Sequence, residues 1–251
     1  MPVTGSKSIS NNLSIRVKAD GFSFLVTEGH SGDILHTQEF SLSSQQVLHE
    51  ELALQLNAIV GGEWKFTRVR VIIYGDSTYI PQQEFVADRL EQLYSVVFPP
   101  IDGSSQEVCF THLPQLDIVV AFAMPMAVRK VVEAVCPEAT FTSASAVILG
   151  RVATICKRQQ LPDNALFAYV TPLQLFLFSV SQDKLKFANN FELDQPKDSL
   201  FYLLSVWKSL ERDARRHYCY VAGETESMNY LAEALVPYLQ NVEKLSISIE
   251  Y

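Results

Sequence analysis

The order of hydrophobic periods runs twice along this chain, and nothing else in it narrows the fold as far. From Leu13 to Phe40 the residues alternate as three short strands joined by tight turns, and a helix, a strand and a helix follow. From Asn164 to Glu192 the sequence NALFAYVTPLQLFLFSVSQDKLKFANNFE repeats the three-stranded meander, and again a helix, a strand and a helix come after it. Hairpins followed by alternating helix and strand imply a mixed sheet with helices packed on it. Two such runs imply two lobes built on one plan.

In the first half, LSIRVKA places Leu13, Ile15, Val17 and Ala19 on one strand face and Ser14, Arg16 and Lys18 on the other. Asp20-Gly21 is a hairpin signal. Phe22–Glu28 is the return strand, Gly29–Gly32 a turn and Asp33–Phe40 the third strand. Leu42–Val60 changes to helical spacing, with Ser43 or Ser44 as the expected N-cap and Gly61-Gly62 as the stop. RVRVIIY is a strand, and Pro81–Val96 reads as a helix with proline in its first turn. After the break at Pro99-Pro100 come strands at Glu107–Phe110 and Asp117–Ala123. A helix follows at Met126–Cys136, then a short strand ATFTS and a helix at Ser143–Arg158. Ala144, Ala146, Gly150 and Ala153 give that last helix a small-residue side suited to close packing at an interface between lobes.

Gln159–Asn164 is the expected linker. In the second half, LQLFLFSV is apolar on both faces, which marks a strand covered on both sides. Lys197–Arg216 reads as a helix whose last turns carry Arg212, Arg215 and Arg216 near the negative end of its dipole. CYVAG is a buried strand, SMNYLAEALVPYL a helix and KLSISIEY a final strand. The expected organisation is a flexible lead at 1–12, a first lobe at 13–160 and a second at 161–251. The fold class is mixed α/β.

Composition excludes several activities. The formal net charge is -8, so phosphate backbones and anionic membranes are repelled, and no nucleic-acid partner is expected. No apolar run is long enough to span a bilayer, and the polar opening MPVTGSKSISNN has no signal-peptide core. Cys109, Cys136, Cys156 and Cys219 are scattered with no metal spacing, as free thiols of a reducing compartment would be, and a cytoplasmic protein is expected. His30, His36, His49, His112 and His217 form no metal motif, and no G-x-S-x-G is present, so neither a metal nor a catalytic residue is assigned. The group Arg212, Arg215, Arg216 and His217 is a candidate anion cluster or simply a solvated helix end.

Element order, with DIVVAFAMPMAVRKVVEAVCPEATFTSASAVILGRVAT leading into Asn164–Leu239, resembles the actin, sugar-kinase and chaperone-ATPase superfamily and in particular its PilM and FtsA branch. At whole-chain level, from LSIRVKADGFSF onward, the chain resembles an uncharacterised bacterial family, the domain of unknown function numbered 3822. The resemblance implies two ribonuclease-H-like lobes with a nucleotide cleft between them. It also implies where phosphate loops would lie. The first would be the turn Asp20-Gly21-Phe22-Ser23, which keeps an acid, a glycine and a hydroxyl, with Phe22 intruding. The second would be Val170-Thr171-Pro172-Leu173, which has no carboxylate and no glycine, and whose proline lacks an N–H. The adenosine loop would be Ala222-Gly223-Glu224, where a carboxylate stands at the helix start.

The candidate cofactor-binding residues are therefore Asp20, Gly21, Ser23, Thr171, Gly223 and Glu224. The expected function is a non-catalytic, partner-binding scaffold with a degenerate nucleotide site and no cofactor. The alternative is an ATP-binding protein or weak ATPase that uses altered loops with ATP and Mg. The expected partner is an unidentified protein, docked through an exposed strand as in a homodimer or as a peptide in the cleft.

Overall fold

A computed structural model of the chain describes residues 10–247. Both halves form the same five-stranded sheet. In the first, β1 (Asn11–Lys18), β2 (Gly21–Glu28) and β3 (Ile34–Ser41) make the antiparallel meander, and β4 (Phe66–Ile73) pairs parallel to β1. In the second, β9 (Leu166–Val170), β10 (Gln174–Ser181) and β11 (Lys184–Glu192) make the meander, with β12 (Tyr218–Gly223) parallel to β9 and β13 (Asn241–Lys244) beyond it. With β8 (Thr140–Ser143) next to β4, the orders are β3-β2-β1-β4-β8 and β11-β10-β9-β12-β13. Duplicated mixed sheets in this order match the two ribonuclease-H-like lobes that the resemblance implies. A separate three-stranded sheet, β5 (Ser77–Pro81), β7 (Ile118–Pro125) and β6 (Gln106–Leu113), is inserted between β4 and α3 (Met126–Val135).

The layers follow from the alternation of apolar residues. Leu13, Ile15 and Val17 of β1, with Phe22 and Phe24 of β2, bury one face of the first sheet among Leu52 and Leu56 of α1 (Leu48–Val60) and Val128 and Val132 of α3. In the second sheet Leu175 and Leu177 point to a core shared with α5 (Pro196–Ser209) and α6 (Thr225–Leu235). The opposite face presents Phe167, Tyr169, Phe176, Phe178 and Tyr220, which pack on α4 (Ala144–Gln159), on Ile118 and Val120 of β7 and on Ile72 of β4. Phe176 and Phe178 are fully buried, as a strand apolar on both faces requires. The helix α4 thus lies between the two sheets. Its Ala144, Ala146 and Ala153 are buried in the shared core, and Gly150 lies against Gln115 and Leu113. Ser143 caps it, accepting a hydrogen bond from the Ala146 N–H at 3.1 Å.

Several local readings differ from what forms. The helix expected at Pro81–Val96 is not built: Pro81 ends β5, two 3-10 turns follow, and only Leu90–Ser95 (α2) is α-helical. Pro81 pairs with Ile118 in the sheet rather than opening a helix, and proline is tolerated because β5 is an edge strand. Val97, one residue past the expected helix, is 60% exposed. The helix expected from Leu42 begins at Leu48, with Val47 at the N-cap and no side-chain cap from Ser43 or Ser44. α5 stops at Ser209, so Arg212, Arg215 and Arg216 lie beyond the helix. Arg212 turns inward and donates to Ser179 Oγ at 2.6 Å, while Arg216 pairs with Asp213 at 3.9 Å. The four residues through His217 therefore do not converge on one anion. β1 takes Asn11 and Asn12 from the expected lead at 1–12, whose first nine residues lie outside the described range. The strand expected at KLSISIEY is replaced by β13, which ends at Lys244; the last four residues of that stretch also lie outside the described range.

Candidate functional site

The register of the two sheets aligns their first hairpins residue by residue. Val17 stands opposite Phe22 on one side and Ile73 on the other, and Val170 stands likewise opposite Leu175 and Gly223. The Tyr74 N–H donates to the Val17 carbonyl at 2.9 Å, and the Glu224 N–H donates to the Val170 carbonyl at 2.9 Å. Lys18, Ala19, Asp20 and Gly21 therefore correspond to Thr171, Pro172, Leu173 and Gln174. Leu173 takes the place of the one acidic residue in the first turn.

These turns face each other across a cleft of about 390 Å³ lined by Lys18, Asp20, Glu39, Thr171, Glu192, Asp194 and Glu224 among others. Of the six residues singled out by sequence, Asp20, Thr171 and Glu224 line it together. Gly21 and Gly223 do not line it and instead sit where neighbouring backbones approach closely. A Cβ on Gly21 would stand 2.0 Å from the Phe40 carbonyl oxygen, and one on Gly223, at φ 135°, would stand 1.9 Å from that of Val170. Ser23 is buried within β2 and does not line the cleft. Phe22, which intrudes in the first turn's sequence, points away into the first lobe's core and stacks on Phe40 at 4.7 Å. Tyr169 is buried against Phe176. Neither ring fills the cleft.

Lys18 is the feature that the sequence pattern misses. It ends β1 on the polar face and reaches across to the other lobe, where Nζ lies 2.7 Å from Glu224 Oε1 and 3.2 Å from Glu39 Oε1. Burial works against its charge, but the bonds to Glu224 and Glu39 outweigh it and raise the ammonium above the ordinary lysine value. A lysine last in an alternating strand, beside a hairpin signal, is the cue that could have pointed to it.

The chemistry of the cleft is acidic. Five carboxylates (Asp20, Glu39, Glu192, Asp194 and Glu224) face one ammonium already held between two of them. In the second turn the Thr171 N–H donates to the Gln174 carbonyl at 2.9 Å, and the Gln174 N–H donates to Thr171 Oγ1 at 3.0 Å. Pro172 has no N–H to give. A phosphate group needs converging N–H donors and positive charge. The N–H groups of Thr171 and Gln174 are used within this turn, so neither converges on a phosphate. Among the described residues no group of three or more His, Cys, Asp or Glu side chains is placed to hold a metal ion. Burial pushes the thiol of Cys156 up to about 11 and that of Cys219 to about 12, so neither is an activated nucleophile.

A family model described as "Protein of unknown function (DUF3822)" matches residues 3–242. The chain belongs to the DUF3822 family. The fold of this DUF3822 protein is also found in solved structures. A protein from Bacteroides thetaiotaomicron VPI-5482, described as having an actin-like ATPase fold and unknown function, superposes with a TM-score of 0.80 at 22% identity, covering 98% of this chain and 94% of that one. The PilM-PilN type IV pilus biogenesis complex gives 0.56 at 13% identity over 93% and 88%. The cytoplasmic domain of EpsL, an inner membrane component of the type II secretion system of Vibrio cholerae, gives 0.50 at 10% identity over 92% and 97%. At these identities the likeness establishes the fold, an actin-like ATPase fold. No curated protein matches the sequence. No described helix is long and apolar enough to cross a membrane.

Proposed function

We propose that this DUF3822 protein is a non-catalytic, partner-binding scaffold of the cytoplasm that uses an actin-like ATPase fold without a nucleotide. The observation that carries this reading is the cleft: Leu173 stands where the first turn has Asp20, and Lys18 is committed to Glu224 rather than open to a phosphate. Two fold neighbours support the partner-binding half of the reading, since PilM is solved as a complex with PilN and EpsL is named as a secretion-system component. The partner is a protein, docked in the cleft or on an exposed strand edge, and a second copy of this chain is one such partner. Four free cysteines fit a reducing compartment.

The alternative, a nucleotide binder with altered loops, draws on Asp20 and Gly21 remaining at a cleft that is still open. Thermal unfolding with and without Mg-ATP separates the two. A ligand at 100 times its dissociation constant stabilises the native state by about 2.7 kcal/mol. The scaffold reading expects no change in Tm at millimolar Mg-ATP. A clear rise that Asp20→Ala abolishes would overturn it.

A further inference from the structure

A second cavity, which shares no lining residue with the cleft, lies between β8, β6 and α4 and measures about 430 Å³. Arg70 of β4 lines it, with Thr140 beside it in register and Thr142 on the same strand face. Arg151 of α4 forms part of the opposite wall, and Phe110 and Phe141 supply aromatic sides. None of the described lining residues is acidic.

We infer that this cavity binds a small organic oxyanion, a phosphate ester or carboxylate with an aromatic or apolar body, and that Arg70 is its anchor. The Arg70 side chain is half-buried, and among the described residues it has no hydrogen bond or ion pair. Burial first, and the like charges of Arg68 and Arg151 next, hold its guanidinium below the usual arginine value. In a chain with net charge -8 such a guanidinium is conspicuous, because carboxylates are plentiful and no described one lines this cavity. A guanidinium offers a planar fork of donors matched to two oxygens of one oxyanion.

The hydroxyls add to the match. Thr111 Oγ1 and Thr142 Oγ1 are 3.0 Å apart, so one donates to the other. The accepting hydroxyl keeps its own proton free for a ligand oxygen. Phe110 is 39% exposed, which leaves an aromatic face for the ligand's body. The volume falls within the range of small-molecule sites. This inference does not depend on whether the interlobe cleft binds a nucleotide.

Isothermal titration of the whole chain with phenyl phosphate, benzoate and inorganic phosphate tests it. At least one aromatic anion is expected to bind saturably with a dissociation constant near 1 mM or tighter, on the order of -4 kcal/mol. Inorganic phosphate is expected to bind more weakly. Arg70→Gln should weaken the aromatic anion about tenfold or more. Thr142→Val, which removes a hydroxyl at constant volume, should weaken it several-fold and serves alone if Arg70→Gln fails to fold. The proposal is overturned if neither aromatic anion binds by about 10 mM, or if the variants that fold bind as the wild type does. Phosphate binding as tightly as phenyl phosphate would overturn the role given to the aromatic walls.

Discussion

At Gly223 the backbone of one strand passes so close to the next that no side chain fits. The position a Cβ would occupy lies 1.9 Å from the Val170 oxygen, and φ is 135°. Gly223→Ala must therefore move β12 away from β9, just where β12 hands over to α6. The expected loss is about 2–4 kcal/mol of unfolding free energy in a urea titration. Gly75, with nothing within 4 Å of its would-be Cβ, is the matched control, and Gly75→Ala should stay within about 0.5 kcal/mol of wild type. From sequence, Gly223 could be picked out as a loop glycine, but its cause is a carbonyl supplied by a distant strand. Arg70 was illegible for a similar reason: as one of two basic residues in RVRVIIY it looks like solvent-facing decoration. Only the placement of β8 and α4 encloses it.

At the scale of elements, α1 shows what sequence patterns read well and what they read poorly. Gly61-Gly62 follows its end at Val60, as the spacing predicts, yet its start falls at Leu48 because Leu52 and Leu56 are the residues that reach the core. That leaves Val47 at the N-cap, extended at φ -100°, with no oxygen to accept from the first turn. Val47→Asp should stabilise the protein by about 1 kcal/mol, seen as a higher Tm in calorimetry, since Val47 is 45% exposed and loses little by the exchange. The meanders, α3, α4 and the buried β10 were legible because their periods are set by two-sided or one-sided burial within the element. The stretch from Pro81 to Val96 was not. Its residues carry helical spacing, but β7 pairs with Pro81 through Ile118, and pairing across a sheet is invisible to a local window.

For the whole molecule, the lobes are joined by an apolar core around α4 and by the charged contact of Lys18 with Glu224 at the cleft. A double-mutant cycle with Lys18→Met and Glu224→Gln should give a coupling of about 1 kcal/mol, because the pair is short but partly open to water. Since the Lys18 ammonium is raised in the folded state, its contribution is fully present below the ordinary lysine value of 10.5 and is lost as pH rises through the higher folded value. Urea unfolding in the alkaline range should show wild type losing a component that Lys18→Met lacks. The overall plan, two copies of one element order, could be read from the chain, whereas the acidity of the cleft could not, because Glu39, Glu192 and Asp194 reach it from separate strands and loops. The core around α4 also bears on how the protein is made. Five aromatic side chains on β9, β10 and β12 are covered by α4, β7 and β4 of the first half. The N-terminal half leaves the ribosome first, so α4 and β7 are already available when those rings emerge. Synthesis in the opposite order would leave the most adhesive face of the protein waiting in water for its partner.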